Sequence, residues 1–154
     1  MRTAYRVFAY LIAVEVVVQA AVIAYGVFGL GKWIDDGHVV TKHNADSGSI
    51  TGSAGFVIHA VNGELLVPLL AIVLLILSLF ARIPGGVKWA GLILLLVVVQ
   101  VALGLLSHAV PGLGALHGID ALAIFGVAAV AGYRVPRHRP ADSRPAEQPS
   151  GTRV

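Results

Sequence analysis

The stretch Val87–Ala109, VKWAGLILLLVVVQVALGLLSHA, carries one lysine at its start and no Asp, Glu, Lys or Arg after it. A helix needs about 20 apolar residues to span the hydrocarbon core of a bilayer, and this run meets that length. A buried strand is also apolar but extends over only about 4–8 residues. A helix moreover satisfies its own backbone hydrogen bonds in lipid. Three further runs have the same character, at about 7–30, 54–81 and 116–133. Together with 87–109 they predict an all-α integral membrane four-helix bundle within a transmembrane domain of residues 1–135.

Composition agrees. The chain has 154 residues, 57% hydrophobic and 12% charged, against about 45–50% and about 25% in soluble domains. Mean hydropathy is +0.85. The absence of cysteine excludes disulfides, iron–sulfur clusters, thiolate zinc sites and cysteine nucleophiles. The first run is longer than the roughly 7–15 residues of a signal-peptide core and contains Glu15 and Gln19, so it is expected to be retained as a span.

The net charge is +3, but the basic residues lie in short clusters between the runs, which gives nucleic-acid binding no support. Nine of the eleven lysines and arginines (Arg2, Arg6, Arg82, Lys88, Arg134, Arg137, Arg139, Arg144 and Arg153) fall on one side, and Lys32 and Lys42 on the other. The positive-inside rule then places both termini and the Arg82–Lys88 loop in the cytoplasm of a multi-pass protein of the cell (plasma) membrane. The segment 136–154, rich in proline and charge, is expected to be a disordered cytoplasmic tail.

Two passages match. Val16-Val17-Val18-Gln19-Ala20 in the first run parallels Val97-Val98-Val99-Gln100-Val101 in the third. Ile58-His59-Ala60-Val61-Asn62-Gly63 in the second parallels Leu116-His117-Gly118-Ile119-Asp120-Ala121 in the fourth. The chain therefore reads as an internal repeat of two helical hairpins related about the membrane normal.

Ionisable groups inside spans are costly and usually mark function. His59 lies 23 residues before Arg82 and His117 17 before Arg134, roughly 34 and 26 Å along a helix, so both fall in the outer part of the membrane. Two imidazoles facing across a bundle core suit axial ligation of a haem iron; interfacial histidines bonded to backbone or lipid are the plainer alternative. In the haem assignment His59 and His117 ligate the iron, with His108 in reserve. Asn62 and Asp120 supply supporting hydrogen bonds, Gln19 and Gln100 serve as interhelical partners, and Gly63 and Gly104 make room for a flat macrocycle. Glu15 and Glu64 lie deeper, suited to proton relay, to a quinone headgroup, or to remaining protonated and hydrogen-bonded. Asp35, Asp36, His38, His43 and Asp46 in the outer loop match no ordered metal spacing. Tyr25 and Trp33 at the outer end, and Tyr5, Tyr10, Trp89 and Tyr133 at the inner end, read as interfacial anchors.

Gln100-Val-Ala-Leu-Gly104, a short turn, and then Leu116-His117 before an apolar helix resemble the half-repeat of the haem A synthase family, over roughly Ile58–Tyr133. In that family a four-helix unit binds haem between histidines at the outer starts of its second and fourth helices. The resemblance implies that His59 and His117 are the axial pair. Haem A synthases contain two such units, and bacterial members carry a glutamate three residues before the first histidine, where this chain has Phe56. Many also have an outer-loop cysteine pair. The resemblance thus implies the scaffold and haem b but not haem hydroxylation. The whole chain also resembles a family of small actinobacterial four-helix membrane proteins of unassigned function. Two functions are expected to compete. One is a bis-histidine haem b protein in electron transfer or haem or quinone handling, alone or as a homo-oligomer with a redox partner. The other is a cofactor-free accessory or scaffold protein of a larger complex.

Overall fold

A computed structural model describes residues 1–136. Four helices are long and apolar enough to cross a membrane. Helix α1 is Arg2–Asp35, followed by a short α2, Lys42–Asp46. The second span is composite: α3 (Ser53–Val61), a π turn (Asn62–Leu66) and α4 (Val67–Ala81). Then come α5 (Gly86–Ser107) and α6 (Leu113–Tyr133). The spans therefore fall where hydropathy puts them, while α1 runs about a turn further at both ends than residues 7–30. Residues 137–154, and with them nearly all of the expected disordered tail, lie outside the described residues.

The π turn has a local cause. Pro68 has no N–H to offer the Glu64 carbonyl, and its ring clashes with a carbonyl four residues back in a regular α-helix. Widening the preceding turn relieves that clash, and the Val67 N–H bonds the Asn62 carbonyl, five residues away. Such insertions recur at functional sites, and this one begins three residues after His59.

The four spans form a bundle in which sequence neighbours pack on one another and α6 closes back onto α1. Apart from Ile50, between α2 and α3, the buried side chains lie in the half nearest the chain ends: Tyr5, Ala9, Ile12 and Ala13 on α1; Val67, Ala71, Leu74, Ser78 and Ala81 on α4. Gly86, Ala90, Ile93 and Val97 on α5 meet Ile124, Ala128, Ala131 and Val135 at the end of α6. On α4, α5 and α6 these positions alternate spacings of four and three, the seam of near-parallel helix packing. Alanine dominates it, because small residues let helix backbones approach where lipid provides no hydrophobic drive between helices.

Arginine and tyrosine tie this end together. The Tyr5 hydroxyl donates to the Gly86 carbonyl at 3.1 Å, and Arg6 donates to the Val135 carbonyl at 2.6 Å. Arg2 reaches the Ala81 and Arg82 carbonyls, both at 3.4 Å. The Ala81 and Arg82 carbonyls are among those that the C-terminal end of α4 leaves unpaired, and a cation there also opposes the helix dipole. The Arg134 guanidinium lies 5.1 Å from the centre of the Trp89 ring, so Trp89 is held within the bundle end as well as at the interface.

Substitution of Ala71, fully buried, by leucine overpacks the seam and is expected to cost about 1–3 kcal/mol, read as a lower unfolding midpoint in detergent. Leu79→Ala, at a side chain 61% exposed on the apolar surface, is expected to leave the midpoint nearly unchanged.

Candidate functional site

Above the alanine seam the bundle opens. Helix α3 packs closely on α1. A Cβ on Gly52 would sit 2.8 Å from the Tyr25 carbonyl oxygen, and one on Gly55 2.7 Å from the Gly26 nitrogen. Glycine at both positions is therefore required for the two backbones to touch, and Gly52 also adopts a left-handed φ of 79°. One turn further along α3, this contact brings His59 within reach of α1. Neither α3 nor the π turn packs comparably on α5. Between them lies a cavity of about 560 Å³, inside the usual range of about 300–1,000 Å³ for small-molecule and cofactor sites.

His59 and His117 project into this cavity from opposite sides, with ring centres 6.1 Å apart and planes at 61°. Their attachments correspond. His59 Nδ1 is 3.2 Å from the Gln19 carbonyl oxygen, and His117 Nδ1 is 3.0 Å from that of Gln100. A carbonyl only accepts, so in each histidine Nδ1 carries the proton, and a neutral ring then presents Nε2 as a lone pair. In each case the residue lending its carbonyl is the glutamine of the Val-Val-Val-Gln match. The carbonyl's second lone pair takes the imidazole proton while the helix ladder uses the first.

The two rings differ at Nε2. Gln100 Nε2 lies 3.1 Å from His117 Nε2, and since the ring nitrogen accepts, the amide donates. The Gln100 Oε1 atom is buried without a partner among the described residues, as are both amide atoms of Gln19, one carboxylate oxygen of Glu15 and one of Asp120. Gly104 makes room for His117, since a Cβ there would meet the ring at 3.2 Å. Gly63, in the π turn, faces the Gln19 amide, which a Cβ would approach to 3.5 Å.

Of the residues singled out in the sequence, the structure brings His59, His117, Gln19, Gln100, Gly63, Gly104 and His108 to one cavity wall, with Glu64. Asn62 and Asp120 are half-buried but are not part of that wall. His108 is exposed at the rim, its Nδ1 3.3 Å from the Leu105 carbonyl oxygen of its own helix end. Phe56, at the position where the resemblance leads one to look for glutamate, also lines the cavity, against Gly26. In the outer loop Lys32 pairs with Asp36 at 2.9 Å in solvent, and the Trp33 and His38 rings lie 4.4 Å apart. No group of three or more His, Cys, Asp or Glu side chains suited to a metal ion occurs among the described residues.

Sequence reasoning missed two contributors. The Gln19 and Gln100 carbonyls are backbone atoms, visible only as the matched glutamines that carry them. The π turn was signalled by Pro68 following Gly63 and Glu64, a combination that disfavours a straight helix.

Histidine-selective ¹⁵N NMR of the detergent-solubilised protein checks the tautomers. At neutral pH His59 and His117 are each expected to show Nδ1–H with Nε2 unprotonated, and each signal is expected to vanish in His59→Gln or His117→Gln respectively.

Comparison with known protein families, with curated proteins and with solved structures gave no match.

Proposed function

We propose that this protein binds haem b between His59 and His117 in the outer half of the membrane and works in electron transfer or in haem or quinone handling. The observation that carries this reading is the facing pair of imidazoles, each held through Nδ1 by a backbone carbonyl. Such outer-sphere hydrogen bonds fix the tautomer and orientation of a metal-binding histidine. The two ring centres stand 6.1 Å apart, so His59 and His117 would be the residues to hold the group. The unpartnered amide atoms of Gln19, which lines the cavity, suit a ligand with polar edges as well as an apolar body.

His59 and His117 would hold the group, Gly63 and Gly104 would give it room, and the Gln19 amide would orient it. When bound, haem would supply a one-electron iron couple. The packed alanine seam beneath the cavity keeps water and ions from passing to the other end. Gln19 is 14 residues beyond Tyr5 and Gln100 is 14 beyond Gly86. The two carbonyls therefore stand at equal heights, roughly 21 Å above the Tyr5–Gly86 bond. Within a hydrocarbon core of about 30 Å, that is the outer leaflet if the arginine-rich end is cytoplasmic, with both termini inside. The matched His–Gln pairs also favour descent from a duplicated hairpin and are consistent with the likeness to one half of a haem A synthase.

One observation favours the second reading, a cofactor-free accessory protein. Gln100 satisfies His117 at Nε2 from within the chain, so that ring needs no ligand.

Absorption spectra of the purified protein, oxidised and dithionite-reduced, with haem supplied during expression, separate the two. Stoichiometric low-spin haem, lost or converted to a high-spin form in His59→Ala and in His117→Ala, is the expected result. A colourless protein that also refuses added haem would overturn the proposal and leave the accessory reading.

A further inference from the structure

The two imidazoles are equivalent in the sequence pattern but not in their surroundings. His59 has its Nδ1 on the Gln19 carbonyl, and its Nε2 has no hydrogen-bond partner among the described residues. The nearest counterpart of Gln100 on its side, the Gln19 amide, turns instead toward Gly63 and bonds nothing. His117 is gripped twice by one residue: the Gln100 carbonyl accepts from Nδ1 at 3.0 Å and the Gln100 amide donates to Nε2 at 3.1 Å. The same amide leaves its own Oε1 buried and unsatisfied. A buried acceptor without a partner is unfavourable, so the grip on Nε2 is held at a cost that any rotation satisfying Oε1 would recover.

We infer that Gln100 is a displaceable cap on His117, so that His59 is the standing ligand of the site and His117 the exchangeable one, open only when the Gln100 side chain swings away. This rests on the haem reading for the identity of the incoming group, but the inequivalence of the two rings is a property of the chain itself. A ligand entering the cavity meets a bare lone pair on His59 first. Its second bond requires Gln100 to release Nε2, a step within the protein whose rate does not depend on ligand concentration. Gln100 is thus a positioning residue that sets the order of ligation.

Chemical modification reads the cap without any haem. Diethyl pyrocarbonate acylates an imidazole nitrogen that bears a lone pair, with ethanol and carbon dioxide leaving. Peptide mapping by mass spectrometry after brief treatment is expected to find His59 modified several-fold faster than His117. In Gln100→Leu, which keeps the backbone carbonyl and removes the donor, His117 is expected to approach the rate of His59. Gln100→Met serves the same purpose if leucine impairs folding. Equal rates in the unaltered protein, or a His117 still protected in both variants, would overturn the cap. With haem added to the purified protein, uptake is expected in two phases, a concentration-dependent one and a concentration-independent one. The second is expected to quicken in Gln100→Leu, with affinity raised about 2- to 10-fold, the effect of one hydrogen bond no longer competing. Slower or weaker uptake would instead make Gln100 a ligand contact and overturn the cap. If the modification rates follow expectation but neither protein takes up haem, the cap stands and the haem reading fails.

Discussion

The structure depends on how helices that are apolar on every side choose which side to bury. In hydrocarbon an outward leucine and an inward leucine are solvated almost alike, so burial of apolar area does not select a face. Close approach does. The alternation of Ala71, Leu74, Ser78 and Ala81 on α4 with Ala90, Ile93 and Val97 on α5 and Ile124, Ala128 and Ala131 on α6 lets these backbones come together along one half of the bundle. Dispersion contacts accumulate there, and the arginines at the chain ends fasten the helix termini through carbonyls that would otherwise lack partners.

The half of the bundle away from the chain ends follows from the other half having taken the tight packing. There α3 follows α1 through the Gly26, Gly29, Gly52 and Gly55 contact rather than closing on α5, and the space between becomes a cavity. Its walls are apolar except for a few groups that converge: three imidazoles, two amides, a hydroxyl and a carboxyl group. Polar groups in a bundle core are costly and usually paired. Several of these are not, which sets this region apart from the seam below it, where the one buried polar side chain, Ser78, bonds a carbonyl of its own helix. The π turn belongs to the same region. Pro68 shifts the phase of the second span between His59 and the alanine seam, so one helix serves a packed register near the chain ends and an open one beyond it.

Much of this was legible in the residues. The number of spans and their approximate limits follow from hydropathy, and the Val-Val-Val-Gln and His motifs single out His59, His117, Gln19 and Gln100, which the structure brings to one cavity, because those signals are local in the chain. Asn62 and Asp120 were drawn in by their spacing of three from each histidine, yet they stand off the cavity wall. A spacing of three or four places residues on neighbouring positions of a helix face but does not say how far round the cavity reaches. Asp120 keeps a buried oxygen without a partner, a fact no spacing could supply.

The sequence by itself determined that this chain forms four membrane-spanning helices, since the length of an uncharged run against the thickness of a bilayer is a one-dimensional comparison. It also determined that two histidines sit in matched contexts. Only the tertiary structure decided that these rings face one another at 6.1 Å, that each gives its Nδ1 proton to a backbone carbonyl, and that Gln100 covers one of them while Gln19 leaves the other open. The physical reason is that hydrophobicity around each helix is nearly uniform. Without an amphipathic stripe, the face turned inward is set by contacts between small residues far apart in the chain, and the hydrogen bonds made there engage backbone atoms that every residue possesses alike.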